Sequence, residues 1–135
     1  MVYEVKVSFV TVDEKSGNEK VCKERYIVGN ALRFSHAENA AELQVVAKEV
    51  DVTDIKRSRL KEILNERTSG DEYIWIAEVQ DTFTNDDGEE QEINYKVAFY
   101  SKTIESAMAY IKEYLRQGYD MELISLKKSN FVDVI

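Results

Sequence analysis

Apolar and polar positions alternate along Tyr3, Val5, Val7 and Phe9, and again along Tyr73, Trp75, Ala77 and Val79. A period of two buries one side of a segment and leaves the other in water, so both stretches are predicted strands. A turn follows each, Asp13–Asn18 with Gly17 and Asn85–Gly88, and the two glycines supply the positive φ that hairpin loops require. The return strands carry Cys22, Glu24, Tyr26 and Val28 in one case and Ile93, Tyr95, Val97 and Phe99 in the other. The period then changes. Phe34, Ala37, Ala41 and Val45 are spaced by three, four and four, and Ile104, Ala107, Ile111 and Leu115 repeat that spacing, which makes one stripe on a helix. Ser35 with Glu38 predicts a capping box on the first helix. Thr103 is the expected cap of the second, and Gly118 its expected terminator. Each series closes on a short strand, Val50–Arg57 and Met121–Lys128, ending in Ile55-Lys56-Arg57-Ser58 and Leu126-Lys127-Lys128-Ser129.

One register, an offset of 70 or 71, runs through strand, turn, strand, helix and strand. It predicts an α+β fold of two tandem ββαβ repeats related by an approximate pseudo-two-fold. The first repeat covers residues 1–58, a connecting segment 59–72 and the second repeat 73–135. Within the connection, Leu60–Leu64 is expected as a helical turn or an extension of the preceding strand, and Arg67–Glu72 as a loop around Gly70. Each half is near the size at which one core barely suffices, so together they are expected as one compact domain.

With 44% hydrophobic and 33% charged residues, the composition is that of a folded chain with a solvated surface. Apolar runs are only a few residues long, so no membrane span is expected. Met1 leads straight into a strand pattern with no room for an export signal, and the single cysteine, Cys22, cannot form an internal disulfide. Both features point to the cytoplasm. The net charge of −8 is unevenly spread: residues 1–58 carry −1, residues 59–72 carry −1 and residues 73–135 carry −6. Nucleic-acid binding depends on neutralising phosphates, so an acidic second half disfavours it for the surface as a whole.

Candidate chemistry is sparse. His36, the only histidine, falls in the first turn of a helix, where a solvated side chain is expected, and no second histidine can complete a metal site. Cys22 aligns with Ile93, which favours a small core side chain over a nucleophile. The run Asp86-Asp87-Gly88-Glu89-Glu90 invites a calcium loop. With Gly88 sixth, however, Phe83 stands first and Asn94 twelfth, where ligands are needed. No Gly-rich phosphate loop, HExxH or CxxC is present, so no cofactor, metal or catalytic residue is expected. Two groups remain. Lys56, Arg57, Arg59 and Lys61, with Lys127 and Lys128, form one stripe against phosphates if the repeat ends share an edge. Solubilising a strand end is the plainer reading of the same charges. Tyr100, Tyr110, Tyr114 and Tyr119 belong to an aromatic-rich second half and suit either a protein interface or the rim of a core.

The chain resembles a family of short uncharacterised proteins from bacteroidete bacteria, their phages and mobile elements. The resemblance rests on Tyr3–Val7, Asp13–Gly17, Tyr26–Val28, Phe34–Glu38, Val52-Thr53-Asp54-Ile55-Lys56-Arg57 and Val132–Val134, and covers nearly the whole length. It implies a bacterial or phage cytoplasmic protein and transfers no functional residue. The favoured expectation is therefore a non-enzymatic binding or accessory protein with a protein partner. A nucleic-acid accessory role using the basic residues comes second. Mimicry of DNA by an acidic surface comes third, and an enzyme of unrecognised type last.

Overall fold

Alternation does produce strands, and the spacing of three and four produces helices. The computed structural model describes residues 2–118 and 120–135. The elements are β1 (Tyr3–Val12), β2 (Glu19–Val28), α1 (Phe34–Glu42), β3 (Lys48–Arg57), β4 (Leu60–Ile63), β5 (Tyr73–Thr84), β6 (Glu90–Ser101), α2 (Ile104–Leu115), β7 (Met121–Lys128) and β8 (Phe131–Val134). The fold is α+β, with two helices and two four-stranded sheets. The chain divides into a first unit, ending at Ser58 but including Asn130–Ile135, and a second unit, Arg59–Ser129. Among the described residues no helix is long and apolar enough to cross a membrane.

In the first unit the strand order is β3-β1-β2-β8. β1 is antiparallel to both β2 and β3, so β2, α1 and β3 form a split β-α-β with β1 between its strands. Tyr3, Val5 and Val7 share one face of β1 and pack with Tyr26, Val28, Ala37 and Ala41. The fourth strand, β8, lies parallel against β2, with Arg25 opposite Phe131 and Ile27 opposite Val134. In the second unit the order is β4-β6-β5-β7. Trp75, Ala77, Val79, Val97 and Phe99 form the face that Ala107 and Ile111 of α2 cover. Trp75 keeps its indole satisfied by donating to the Ser101 carbonyl at 2.8 Å. Here the parallel fourth strand is β4, against β6.

Several ladder positions correspond, although β3 has a second irregularity, between Ser8 and Val10, that β7 lacks. Arg25 opposite Phe131 answers to Lys96 opposite Leu60, and both parallel pairs slip register one step later. β3 and β7 each carry an extra residue against the hairpin, Thr53 and Ile124. These matches hold an offset of 71. The first strands depart from it: Tyr3, opposite Val28 and Arg57, occupies the place of Trp75, opposite Phe99 and Lys128. The sequence pairing of Tyr3 with Tyr73 is therefore two residues off. A slip of two keeps every side chain on the same face, so alternation alone cannot detect it. The first hairpin loop, residues 13–18, is one residue longer than the second, residues 85–89, which is where the offset falls from 72 to 71. Gly17 and Gly88 adopt φ of 71° and 81°, as those loops require.

Other expectations need correcting. α1 starts at Phe34 from an extended Arg33 with no side-chain cap, so Ser35 already lies inside the helix and forms no capping box with Glu38. The helix ends at Glu42, where Gln44 N–H turns tightly to the Ala41 carbonyl, so Val45 packs from a turn. Gly118 has no left-handed φ; the Met121 side chain crowds the space where a Cβ would stand. Leu60–Ile63 is a strand of the second sheet, not a helical turn. The last strand, assigned to the second repeat by sequence, pairs with β2 of the first unit because its parallel partner lies there. The helix stripes are buried at their centres only, and Phe34 and Ile104 at their starts are exposed.

Burial at the centre and exposure at the start give the first prediction. Ile111→Ala should destabilise the protein by about 2–5 kcal/mol, because Ile111 is fully buried against the sheet. Ile104→Ala should stay within about 0.5 kcal/mol. Urea unfolding of the two variants measures both, and equal losses would mean that α2 is rotated from the face assigned here.

Candidate functional site

Of the four tyrosines proposed for an interface, three are committed to the second unit. Tyr100 is only 5% exposed. Asn65 clasps its backbone, accepting from the Tyr100 N–H at 2.7 Å and donating to its carbonyl at 3.1 Å. The Arg67 guanidinium lies 4.8 Å above its ring. Tyr110 stacks on Phe99 at 4.8 Å, and its hydroxyl donates to the Leu64 carbonyl at 3.4 Å. The Tyr114 hydroxyl shares a 3.2 Å hydrogen bond with that of Tyr95. Tyr119 lies outside the described residues. Tyr110 and Tyr114 are half-buried against this core because they flank the stripe of Ala107 and Ile111 on the side that meets β6 and Leu64. They form the rim of a core.

The six basic residues are exposed but not gathered within either unit. Lys56 and Arg57 end β3, an edge strand of the first unit, where the Lys56 ammonium stands 4.0 Å from Glu4. In the second unit Arg59 and Lys61 sit at β4, while Lys127 and Lys128 sit on β7 at the opposite edge. Three strand spacings separate those edges, roughly 14 Å. Lys61 and Lys128 also lie over aromatic rings, Tyr95 at 4.0 Å and Tyr73 at 3.6 Å. Such contacts hold a cation in place and contribute about 0.5–1 kcal/mol at exposed sites.

His36 is exposed and accepts a hydrogen bond from the Arg33 guanidinium at 3.2 Å. Cys22 is half-buried, 3.5 Å from the Thr11 hydroxyl. In the acidic hairpin the Asn85 side-chain oxygen accepts from the Asp87 and Glu89 N–H groups at 3.0 Å each, so it shapes the turn. Among the described residues no three His, Cys, Asp or Glu side chains are arranged to hold a metal.

The surface that sequence reasoning missed is one flank of α2. Thr103 starts the helix with a reciprocal cap: Ser106 N–H donates to the Thr103 hydroxyl, and Thr103 N–H to the Ser106 hydroxyl, both at 3.1 Å. With its inner face on the sheet, the helix turns Ile104, Glu105, Met108, Ala109 and Lys112 toward a shallow depression of about 420 Å³. Ile104 is 45% exposed, Ala109 is exposed and Met108 is half-buried. Glu105, Met108, Ala109 and Lys112 are spaced three, one and three, a single ridge with an acid at its start and a base at its end. That spacing was visible in the sequence, but counting Ile104 as core concealed it.

Over residues 1–135 the sequence matches the family described as a domain of unknown function, DUF4494. Comparison with curated proteins and with solved structures gives no match.

The inward tyrosines lead to a second prediction. Burial, followed by the bond to Tyr114 and the nearby Asp81 and Glu62 carboxylates, pushes the Tyr95 hydroxyl above its ordinary value. Burial does the same to Tyr110, with Glu62 adding to it. A raised folded-state pKa favours the neutral form, so this stabilisation is complete below about pH 10 and is lost as pH rises through the folded-state values. Ultraviolet titration should show late-ionising tyrosines whose number falls by one in Tyr95→Phe and by one in Tyr110→Phe, with Tyr26, raised by burial and by Glu24, still late in both. Ordinary titration of every tyrosine in the folded protein would place these rings at the surface.

Proposed function

Since the chain belongs to the DUF4494 family, a domain of unknown function, we propose from its own surfaces that it is a non-enzymatic binding protein acting through a protein–protein surface. The observation that carries this reading is the flank of α2. It is an apolar strip of Ile104, Met108 and Ala109, edged by Glu105 and Lys112, on a helix whose other face is fixed to the sheet. Exposed apolar surface edged by polar groups is the usual mark of a protein contact. A rigid helix presents such a surface at little ordering cost.

The charge distribution supports a protein partner over nucleic acid. Moving Asp133 with β8 into the first unit makes that unit −2, and joining residues 59–72 to the second leaves it at −6. The separation of Arg59 and Lys61 from Lys127 and Lys128 across the second sheet supports it as well.

We further propose that the two units arose by duplication of one ββαβ segment plus the short strand that follows it. Support comes from the common strand order, the shared bulges at Thr53 and Ile124 and the parallel pairs at a constant offset of 71. The resemblance to bacteroidete and phage proteins, together with a single free cysteine, supports a cytoplasmic setting in a bacterium or an infected host.

A photo-reactive amino acid replacing Ile104, at the end of the strip, should crosslink to protein in host cells, whereas the same group replacing Glu14 in the first hairpin turn should not. Labelled single- and double-stranded DNA at about 0.15 M ionic strength should not bind. Absence of any protein crosslink from position 104 overturns the reading. So does DNA binding that is lost when Lys56, Arg57, Lys127 and Lys128 are replaced by Ala.

A further inference from the structure

We propose that the occupant of the α2 flank is a second copy of this chain, docked helix against helix in antiparallel orientation about a two-fold axis. This deepens the reading above and rests on it. The argument is charge complementarity of the ridge with itself. An axis passing between Met108 and Ala109 sets Glu105 of one copy opposite Lys112 of the other, and Lys112 of the first opposite Glu105 of the second. The same axis sets Met108 against Ala109 in both directions. In an isologous contact every pair occurs twice, so a ridge must complement its own reversal. This one does so in charge and in size.

Sterics agree. Ala109 is exposed and small, which lets two helix axes approach to about 8–10 Å with the Met108 side chain seated in the space that Ala109 leaves. Met adapts its shape to such a gap. Ile104 extends the apolar strip toward the second copy's Lys112, whose methylene stem can cover it while the ammonium reaches Glu105. Glu105 and Lys112 are both exposed, and the acid at the first turn and base at the last also suit the helix dipole.

The contact is small. One helix flank per copy lies at the low end of specific interfaces, so association is weak and reversible. The exposed ion pairs select register and orientation and add little affinity.

Sedimentation velocity over a concentration series tests the proposal. The weight-average mass of the wild-type chain should rise from 15.6 kDa toward twice that value. Glu105→Lys alone and Lys112→Glu alone should each remain monomeric, because each creates two like-charge pairs. A mixture of the two single variants should associate again, since both pairs across a mixed dimer are then opposite in sign. Ala109→Glu should abolish association, and thermal melts of all variants check that α2 remains folded. A wild-type chain monomeric at every concentration, or a mixture that stays monomeric, overturns the second copy as occupant. If crosslinks from position 104 then reach a different protein, the binding reading stands and only this inference falls.

Discussion

Everything in this fold depends on two short parallel pairings, β8 on β2 and β4 on β6. Each supplies the fourth strand of a sheet from chain that follows the other unit's ββαβ segment. Leu60 and Phe131, which open these strands, are both buried, and the Arg25 guanidinium covers the Phe131 ring at 4.3 Å. The pairing of Arg25 with Phe131 joins residues more than a hundred positions apart. Contacts of that separation form only after a large loss of chain entropy, and they slow folding. Neither ββαβ segment therefore has its complete sheet until the strand beyond the other segment has been made.

Which parts of this were legible in the sequence follows from which interactions are local. Hairpins with Gly17 and Gly88 and the stripes of Ala37, Ala41, Ala107 and Ile111 are set within a few residues, and they are where the pattern put them. The destinations of Leu60–Ile63 and Phe131–Val134 are set by partners distant in sequence, and no local period records them. The register of β1 failed for another reason. Tyr3 and Trp75 are equivalent, yet a shift of two residues leaves an alternating strand with an identical pattern, and the identity of Tyr3 with Tyr73 made the wrong alignment attractive. The capping box at Ser35 failed because it needs a helix that starts two residues later, at His36, whereas α1 already starts at Phe34.

The tyrosines show a related effect. Aromatic enrichment in the second half looked like interface chemistry, but Tyr95, Tyr110 and Tyr114 are consumed by a hydrogen-bonded seam between α2, β6 and Leu64. Tyrosine suits both settings, since it combines apolar area with one polar group that needs a partner. Only the geometry distinguishes them: a hydroxyl that already has a partner inside the unit is less available to one outside. Removing those rings from consideration leaves an unremarkable set of residues on the neighbouring flank, with a methionine, an alanine and two opposite charges.

The acidity of the chain bears on what such a flank can achieve. Two copies at −8 repel at long range, but at physiological ionic strength that repulsion is screened beyond about 8 Å. Contact is then decided by the few groups within that distance, and on this ridge they alternate in sign under a two-fold. The second unit carries −6, so an arbitrary approach of two copies is repulsive on average. The ridge on α2 is an exception in which reversal brings base to acid. In the proposed dimer, repulsion from the net charge and attraction at one stripe together favour one orientation of a weak contact, which electrostatics can specify where buried area alone cannot.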